Sequence, residues 1–149
     1  MNNIAIASDH GGYDLKSEII EYLKKMGYTY KDFGCNDKKS VHYPDYADKV
    51  SRAVSKKEYE CGILICGTGI GMSIAANKVT GIRASLCHDT FSARMAREHN
   101  NANVLTMGGR VIGIGLARDI VQTWLTTDFS QEDRHITRLN KIEEIFNNR

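Results

Sequence analysis

The segment Cys66-Gly67-Thr68-Gly69-Ile70-Gly71 carries the clearest chemical signal in the sequence. Its glycines stand at alternate positions, so the backbone can approach a ligand closely. N–H groups that open onto the start of a helix bind a phosphate or a developing oxyanion. The segment lacks the Lys-Ser or Lys-Thr of a Walker loop, the spacing of a dinucleotide-binding loop and the arginine of a thiol phosphatase loop. It therefore belongs to another class of anion-binding turn.

Cys66 precedes this loop, where a thiol would lie at the positive end of a helix dipole. Such a position stabilises the thiolate and favours a reactive role. From the residue alone, a cysteine that merely fills space under the turn is an equal alternative. The anion-binding loop favours the reactive role, whereas Cys61 and Cys87 are expected to be packing residues.

Two pairs of polar residues follow predicted elements. Asp9-His10 ends the first predicted strand, where a carboxylate and an imidazole could contact sugar hydroxyls or a phosphate. The simpler interpretation is an aspartate that caps the next helix beside a surface histidine. His99-Asn100 ends a predicted helix, and a histidine there often only complements the helix dipole. His42, His88 and His135 are expected to lie at the surface or behind the ligand contacts.

Three arginines are candidates for a phosphate site. Arg134 and Arg138 stand four residues apart and therefore share one face of a predicted helix. Guanidinium groups match phosphate oxygens in a fork, although a solvated charged face beside Glu132 and Asp133 is the alternative. Arg110 follows Gly108-Gly109 directly after a predicted strand.

The elements that position these residues are short β-branched runs alternating with amphipathic stretches. Strands are predicted at residues 3–8, 28–33, 62–66, 82–86 and 102–107, and helices at 15–26, 44–54, 72–78, 89–99, 112–125 and 132–147. This order predicts an α/β fold, a three-layer Rossmann-like sandwich with a five-stranded parallel sheet and a C-terminal helix. The last helix carries an apolar stripe of Ile136, Leu139, Ile142 and Phe146.

Ligands of such sheets bind beyond the carboxyl ends of the strands. That rule selects four segments as candidates: Asp9-His10, Cys66 to Gly71, Cys87-His88-Asp89 and Gly108-Gly109-Arg110.

Length and composition exclude several classes of protein. The 149 residues are 42% hydrophobic and 26% charged, which predicts one globular domain over 1–149. A net charge of +2 gives no field that would attract nucleic acid or a membrane surface. The N-terminus has no signal-peptide pattern, and the four cysteines have no C-x-x-C spacing, so we expect free thiols in the cytoplasm and no zinc site.

The chain as a whole resembles the type B ribose-5-phosphate isomerases of the ribose/galactose isomerase family. The resemblance rests on the following segments: Ser8-Asp9-His10-Gly11-Gly12, His42-Tyr43-Pro44-Asp45-Tyr46-Ala47, Gly62 to Gly71, Ala75-Ala76-Asn77-Lys78, Gly81-Ile82-Arg83-Ala84, Glu98-His99-Asn100 and Asn103-Val104-Leu105. One branch of the family carries a glutamate where Ala75 stands here, which favours the cysteine branch.

This resemblance implies an aldose-ketose isomerase that interconverts D-ribose 5-phosphate and D-ribulose 5-phosphate through a cis-enediolate, without metal or cofactor. Cys66 would be the base, and the amides of Gly67 to Gly71 would bind the enediolate oxygens with Thr68 assisting. His99 would open the furanose ring with help from Asp9. The remaining implied substrate contacts are His10, Tyr43, Gly67, Gly69, Ile70, Gly71, Asn100, Arg110, Arg134 and Arg138. Homodimers or dimers of dimers, with sites built from both subunits, are also implied.

Two other functions remain open at this point. A six-carbon sugar phosphate, allose 6-phosphate or galactose 6-phosphate, would need a longer pocket but the same proton transfer. A sugar-phosphate or nucleotide sensor would use the loop to bind an anion without chemistry, and it would need neither Cys66 nor His99.

Overall fold

The protein, seen in a computed structural model that describes the backbone of residues 1–147 and the side chains of residues 1–145, alternates strands and helices. The strands are β1 (Asn3–Ser8), β2 (Thr29–Asp32), β3 (Cys61–Cys66), β4 (Ala84–Leu86) and β5 (Val104–Gly108). The helices are α1 (Tyr13–Lys25), α2 (Tyr43–Ser55), α3 (Ile70–Ala76), α4 (Thr90–Glu98), α5 (Ile114–Thr126) and α6 (Asp133–Asn147).

The strands form one parallel sheet in the order β2-β1-β3-β5-β4. The chain moves outward from β1 to β2 and then returns to place β3 on the other side of β1. This change of direction leaves a crevice between the carboxyl ends of β1 and β3, where ligands of open α/β sheets bind. The predicted fold class is confirmed.

Apolar residues alternate between the two faces of the central strands, so each face has its own core. On one face, Ile4 and Ile6 of β1 and Ile63 and Ile65 of β3 pack against α1, α4 and α5. On the other face, the intervening residues of the same strands pack against α2 and α3. Cys66, the last residue of β3, belongs to this second core, under α3. The register of β3 in the sheet therefore determines the position of the Cys66 thiol.

Element boundaries differ from the predicted ones where edge strands and turns decide them. The predicted strand at 28–33 shortens to β2, an edge strand with alternate residues exposed, which accommodates its charged side chains. The predicted helix at 72–78 begins two residues earlier, at Ile70, because Gly69 in a left-handed conformation starts it.

Among the described residues, helix α6 contributes no side chain to the two cores. His135 is buried at its start, and Glu143 forms a 3.0 Å ion pair with Arg83 near its end. Of the predicted apolar stripe, Ile136 and Ile142 are exposed, Leu139 is half-buried, and the side chain of Phe146 lies outside the described residues. No helix within residues 1–147 is long and apolar enough to cross a lipid bilayer.

Asn77, just after α3, joins that helix to the edge of the sheet. Its side-chain oxygen accepts a hydrogen bond from the amide of Ala84, and its nitrogen donates to the carbonyl oxygens of Ala84 and Ser73, all at 2.9 Å. The side chain thus pairs with β4 as a neighbouring strand would. It also fixes the carboxyl end of α3, the helix whose amino end carries the glycine loop.

We predict that Asn77→Asp destabilises the protein by about 1–3 kcal/mol, because a carboxylate would face two carbonyl oxygens without a proton to donate. Urea unfolding followed by circular dichroism measures this change. Asn36→Asp is the matched control, since the exposed Asn36 side chain makes no hydrogen bond among the described residues. Equal unfolding free energies for the two variants would show that Asn77 does not brace β4.

Candidate active site

The carboxyl ends of β1, β3 and β5 meet in three closely packed turns. The amide of Asp9 donates to the carbonyl of Ile65, and those of Gly109 and Arg110 donate to the carbonyls of Cys66 and Gly67, at 2.8–3.1 Å. A Cβ atom on Gly109 would lie 2.8 Å from the carbonyl oxygen of Gly11, too close for any side chain. The turns can pack this tightly only because glycine occupies their contact points.

Cys66 lies at the centre of these turns, with 5% of the residue exposed. Its sulfur accepts a hydrogen bond from the amide of Gly69 at 3.0 Å. Gly69 has a φ of +79°, and a Cβ atom there would lie 2.5 Å from a methyl carbon of Leu86 and 2.7 Å from the backbone of Met107. Glycine is therefore required both by the backbone conformation and by the space. An amide aimed at the sulfur and the start of α3 both stabilise negative charge on it.

The remaining loop residues present donors beside the thiol. The first amides of a helix have no partner within the helix, and Ile70 and Gly71 open α3. The amide of Ile70 donates to the hydroxyl of Thr68 at 3.3 Å, a long bond that a stronger acceptor could replace. The hydroxyl of Thr68 is exposed at the loop surface. The loop therefore combines a buried sulfur with amide donors that suit an enediolate or another oxyanion.

Asp9 holds the first turn in shape. One of its carboxylate oxygens, Oδ1, accepts hydrogen bonds from the amides of Gly11 and Gly12 at 2.8 and 3.0 Å. The sequence left open the simpler interpretation that Asp9 caps the next helix, but α1 begins at Tyr13 with Gly12 as its N-cap and has no side-chain capping bond. Asp9 therefore stabilises the turn before the helix. The second oxygen makes no hydrogen bond among the described residues, so the same residue can also accept a hydrogen bond from a ligand.

His10 presents a hydrogen-bond donor at this edge. Its Nδ1 accepts a hydrogen bond from the amide of Val41 at 3.3 Å. A ring nitrogen that accepts carries no proton, so the neutral ring bears its hydrogen on Nε2. An Nε2–H group can donate to a phosphate oxygen.

Arg110 and Tyr43 border the glycine loop on two sides. The guanidinium of Arg110 passes over Gly67, since a Cβ atom there would lie 3.4 Å from Nη1. The ring of Tyr43, at the start of α2, covers Gly71 so closely that a Cβ atom would lie 2.6 Å from the ring. A cation and an aromatic ring thus flank the loop, as the resemblance implies.

Four other predicted site residues lie elsewhere in the chain. Helix α4 leaves the carboxyl end of β4 and runs back to the amino end of β5, a distance of about 13 Å for nine residues. His99 and Asn100, at its end, therefore lie at the opposite edge of the sheet from Cys66. Arg134 and Arg138, in the first turns of α6, lie beside His99, because His135 contacts its ring. Within one chain, therefore, the loop residues lie together, and these four residues lie apart from them.

His135 is the residue that the sequence reasoning underestimated. It is 2% exposed, and its ring centroid lies 4.3 Å from that of His99. The residues 135, 139, 142 and 146 follow a more regular helical spacing than the predicted stripe that began at Ile136. That spacing was the available signal. His135 is missed when only apolar residues are considered as members of the buried face of the helix.

The other cysteines differ from Cys66 in their surroundings. Burial raises the pKa of the Cys61 thiol to about 12, and burial also raises the pKa of Cys87. Cys35 is buried and donates to the carbonyl of Asp37 at 3.2 Å. Within the described residues, no three His, Cys, Asp or Glu side chains are grouped as metal ligands.

Comparison with known proteins matches this geometry to one family. The model of the Ribose/Galactose Isomerase family matches residues 4–142. The structure of ribose-5-phosphate isomerase B from Clostridium thermocellum has a TM-score of 0.96 and 55% identity, and the match covers 98% of each chain. Ribose-5-phosphate isomerase B of Escherichia coli (strain K12) is 45% identical over 145 residues, 97% of each chain. D-erythrulose-4-phosphate isomerase of Pectobacterium atrosepticum is 47% identical over 130 residues, 87% of this chain and 86% of that protein.

These matches extend over the whole sheet and its helices, including the glycine loop after β3 and the helix that it opens. The family expected from the sequence is therefore confirmed: the protein belongs to the Ribose/Galactose Isomerase family.

Proposed function

We propose that the protein is an aldose-ketose isomerase that interconverts D-ribose 5-phosphate and D-ribulose 5-phosphate through a cis-enediolate, a reaction of the pentose phosphate pathway. The observation that carries this proposal is the buried sulfur of Cys66, which accepts the amide of Gly69 beside a loop of amide donors. A base next to an oxyanion site is what proton transfer between adjacent carbons requires. The resemblance adds the substrate.

In this mechanism the thiolate of Cys66 removes the proton from carbon 2 of the open-chain aldose. The electron pair moves to the carbonyl at carbon 1, and the resulting enediolate oxygens are bound by the loop amides and by Thr68. The hydroxyl proton then moves from the oxygen on carbon 2 to the oxygen on carbon 1. The thiol returns its proton to carbon 1, and a carbonyl forms at carbon 2. No atom is gained or lost and no electrons pass to another molecule, so the step consumes no external oxidant or reductant.

We further propose that each site is completed by a second copy of the chain. His99, Asn100, Arg134 and Arg138 lie at the opposite edge of the sheet from the loop of the same chain, so they would reach Cys66 only from a partner. Large apolar residues support this arrangement, since Ile70 and Phe91 are 51% and 71% exposed close to the loop edge. Where exposed apolar residues form a contiguous patch, they mark an interaction surface. A homodimer or a dimer of dimers in the cytoplasm is the state we expect.

The relatives differ in the substrate for which they are named. Relatives of nearly equal similarity, at 45% and 47% identity, are named for a five-carbon and a four-carbon sugar phosphate. All such substrates share the phosphate and the proton transfer and differ in chain length. Residues of the loop therefore do not discriminate among them.

We predict that the purified protein isomerises ribose 5-phosphate in the presence of EDTA. The assay should compare kcat/KM for ribose 5-phosphate with the values for allose 6-phosphate, galactose 6-phosphate and D-erythrulose 4-phosphate. A higher value for a longer or shorter substrate would replace ribose 5-phosphate in the proposal. Binding of every sugar phosphate without turnover would support a sensor instead of an enzyme.

We predict that Cys66→Ala lowers kcat at least about 100-fold, because general base catalysis typically contributes two to four decades. KM should change little, since the phosphate contacts remain. Iodoacetamide should inactivate the wild type, and ribose 5-phosphate should slow this inactivation. Cys87→Ala is the matched control, because Cys87 is buried in the core on the opposite face of the sheet from Cys66. A Cys66→Ala variant with near wild-type kcat would assign the base to another residue.

We predict that two inactive variants restore each other when they share a dimer. Cys66→Ala and His99→Asn chains, unfolded together and refolded, should recover about a quarter of wild-type activity, because half of the dimers are mixed and each mixed dimer has one intact site. The control mixes Cys66→Ala with a chain that carries both substitutions, which yields no intact site. If mixed dimers form, as mass spectrometry can verify, but remain inactive, the two residues do not belong to one shared site.

A further inference from the structure

We propose that His135 is a positioning residue, which together with Ser130 holds the imidazole of His99 in the orientation that opens the sugar ring. This inference rests on the proposed function, because it gives His99 a substrate to act on. It assigns a role to a buried histidine that belongs neither to the loop nor to the phosphate contacts.

The two histidine rings are in contact but have different surroundings. Their centroids are 4.3 Å apart, and their planes are inclined by 39°. His135 is almost entirely buried, whereas the side chain of His99 is 37% exposed. One ring is therefore a fixed support, and the other is presented to whatever approaches the end of α4.

The support is itself tied to α4. The hydroxyl of Ser130 is 2.7 Å from Nδ1 of His135, and the amide of Ser130 donates to the carbonyl of Glu98 at 3.0 Å. Glu98 directly precedes His99. Three contacts thus link the end of α4 to Ser130, Ser130 to His135, and His135 to the ring of His99. Together they hold the His99 side chain in one rotamer.

The charge of His135 suits this role. Burial lowers the pKa of His135, and the positive charges of His99, Arg134 and Arg138 lower it further, while Glu132 raises it. These effects favour the neutral form of His135. Its ring therefore lies against His99 at 4.3 Å without placing a second positive charge there.

A purely structural role for His135 would produce a different result. His135 lies in α6 between Arg134 and Arg138, so a loosened helix would move both arginines. Loss of helix position would therefore raise KM through the phosphate. Loss of His99 orientation would instead lower kcat for a cyclic substrate and leave proton transfer on an open-chain substrate unchanged.

The test uses Ser130→Ala, His135→Asn and His135→Phe in the full-length protein. We expect His135→Asn to lower kcat on ribose 5-phosphate about tenfold or more, as misplaced catalytic groups do. Exchange of the carbon 1 hydrogen of ribulose 5-phosphate with D₂O, which needs no ring, should remain at the wild-type rate. Ser130→Ala should show a smaller loss of the same kind, and His135→Phe, which keeps a ring against His99, should retain more activity than His135→Asn.

Ser17→Ala is the matched control, because the hydroxyl of Ser17 bonds only the carbonyl of Tyr13 in its own helix. Wild-type kcat in His135→Asn, a rise in KM without a fall in kcat, or an equal fall in exchange would each overturn the proposal.

A second measurement separates this inference from the proposed function. NMR spectra of the histidine rings should show His99 resonances shifted in Ser130→Ala and His135→Asn, with those of the distant His42 unchanged. His135 of the wild type should titrate below the ordinary histidine range. If the wild type has no isomerase activity, the proposed function fails, and the ring resonances still report whether His135 orients His99. Unchanged His99 resonances would overturn the positioning role whatever the activity.

Discussion

The hydrogen bond from the amide of Gly69 to the sulfur of Cys66 is the contact on which the candidate site depends. It requires a left-handed residue directly before α3, and that residue must have no side chain, because Leu86 and Met107 occupy the space. Leu86 and Met107 belong to β4 and β5. The position of these two strands in the sheet therefore requires glycine at position 69, whose amide donates to the sulfur. The sheet therefore positions the thiol, and its packing also determines which residue can place a backbone amide against the sulfur.

The distribution of polar residues over two edges of the sheet follows from the connections between elements. Residues after β1, β3 and β5 share the carboxyl edge, whereas a helix returns the chain to the amino edge, so His99 at the end of α4 is separated from the loop. Helix α6 then places two arginines beside that histidine. Within one chain, His99 and the two arginines of α6 are therefore separated from the loop, His10 and Arg110. The segregation lets each group be packed firmly where its own element places it.

Much of the fold and of the loop edge follows from sequence alone. Alternation of strands and helices, together with the apolar run at β3, predicts the parallel sheet, and the rule on carboxyl ends then selects Asp9, Cys66 and Arg110 without any reference to chemistry. What the sequence does not carry is the approach of distant segments. The contact of His135 with His99 depends on how α6 folds back onto α4, and no local periodicity encodes that distance. The short extent of β2 likewise depends on its place at the edge of the sheet.

Asn77 has a consequence for how this protein behaves at high concentration. An open sheet normally exposes a row of unpaired amides and carbonyls along its last strand, which templates further strands from other molecules. Here β4 has only three residues, and the outward N–H and C=O of Ala84 are both bonded by the amide group of Asn77. An incoming strand would have to displace both bonds and would then find little strand to extend along. The sheet is therefore terminated by a side chain, and copies of the chain can associate through helices and loops without the risk of fibrous growth at this edge.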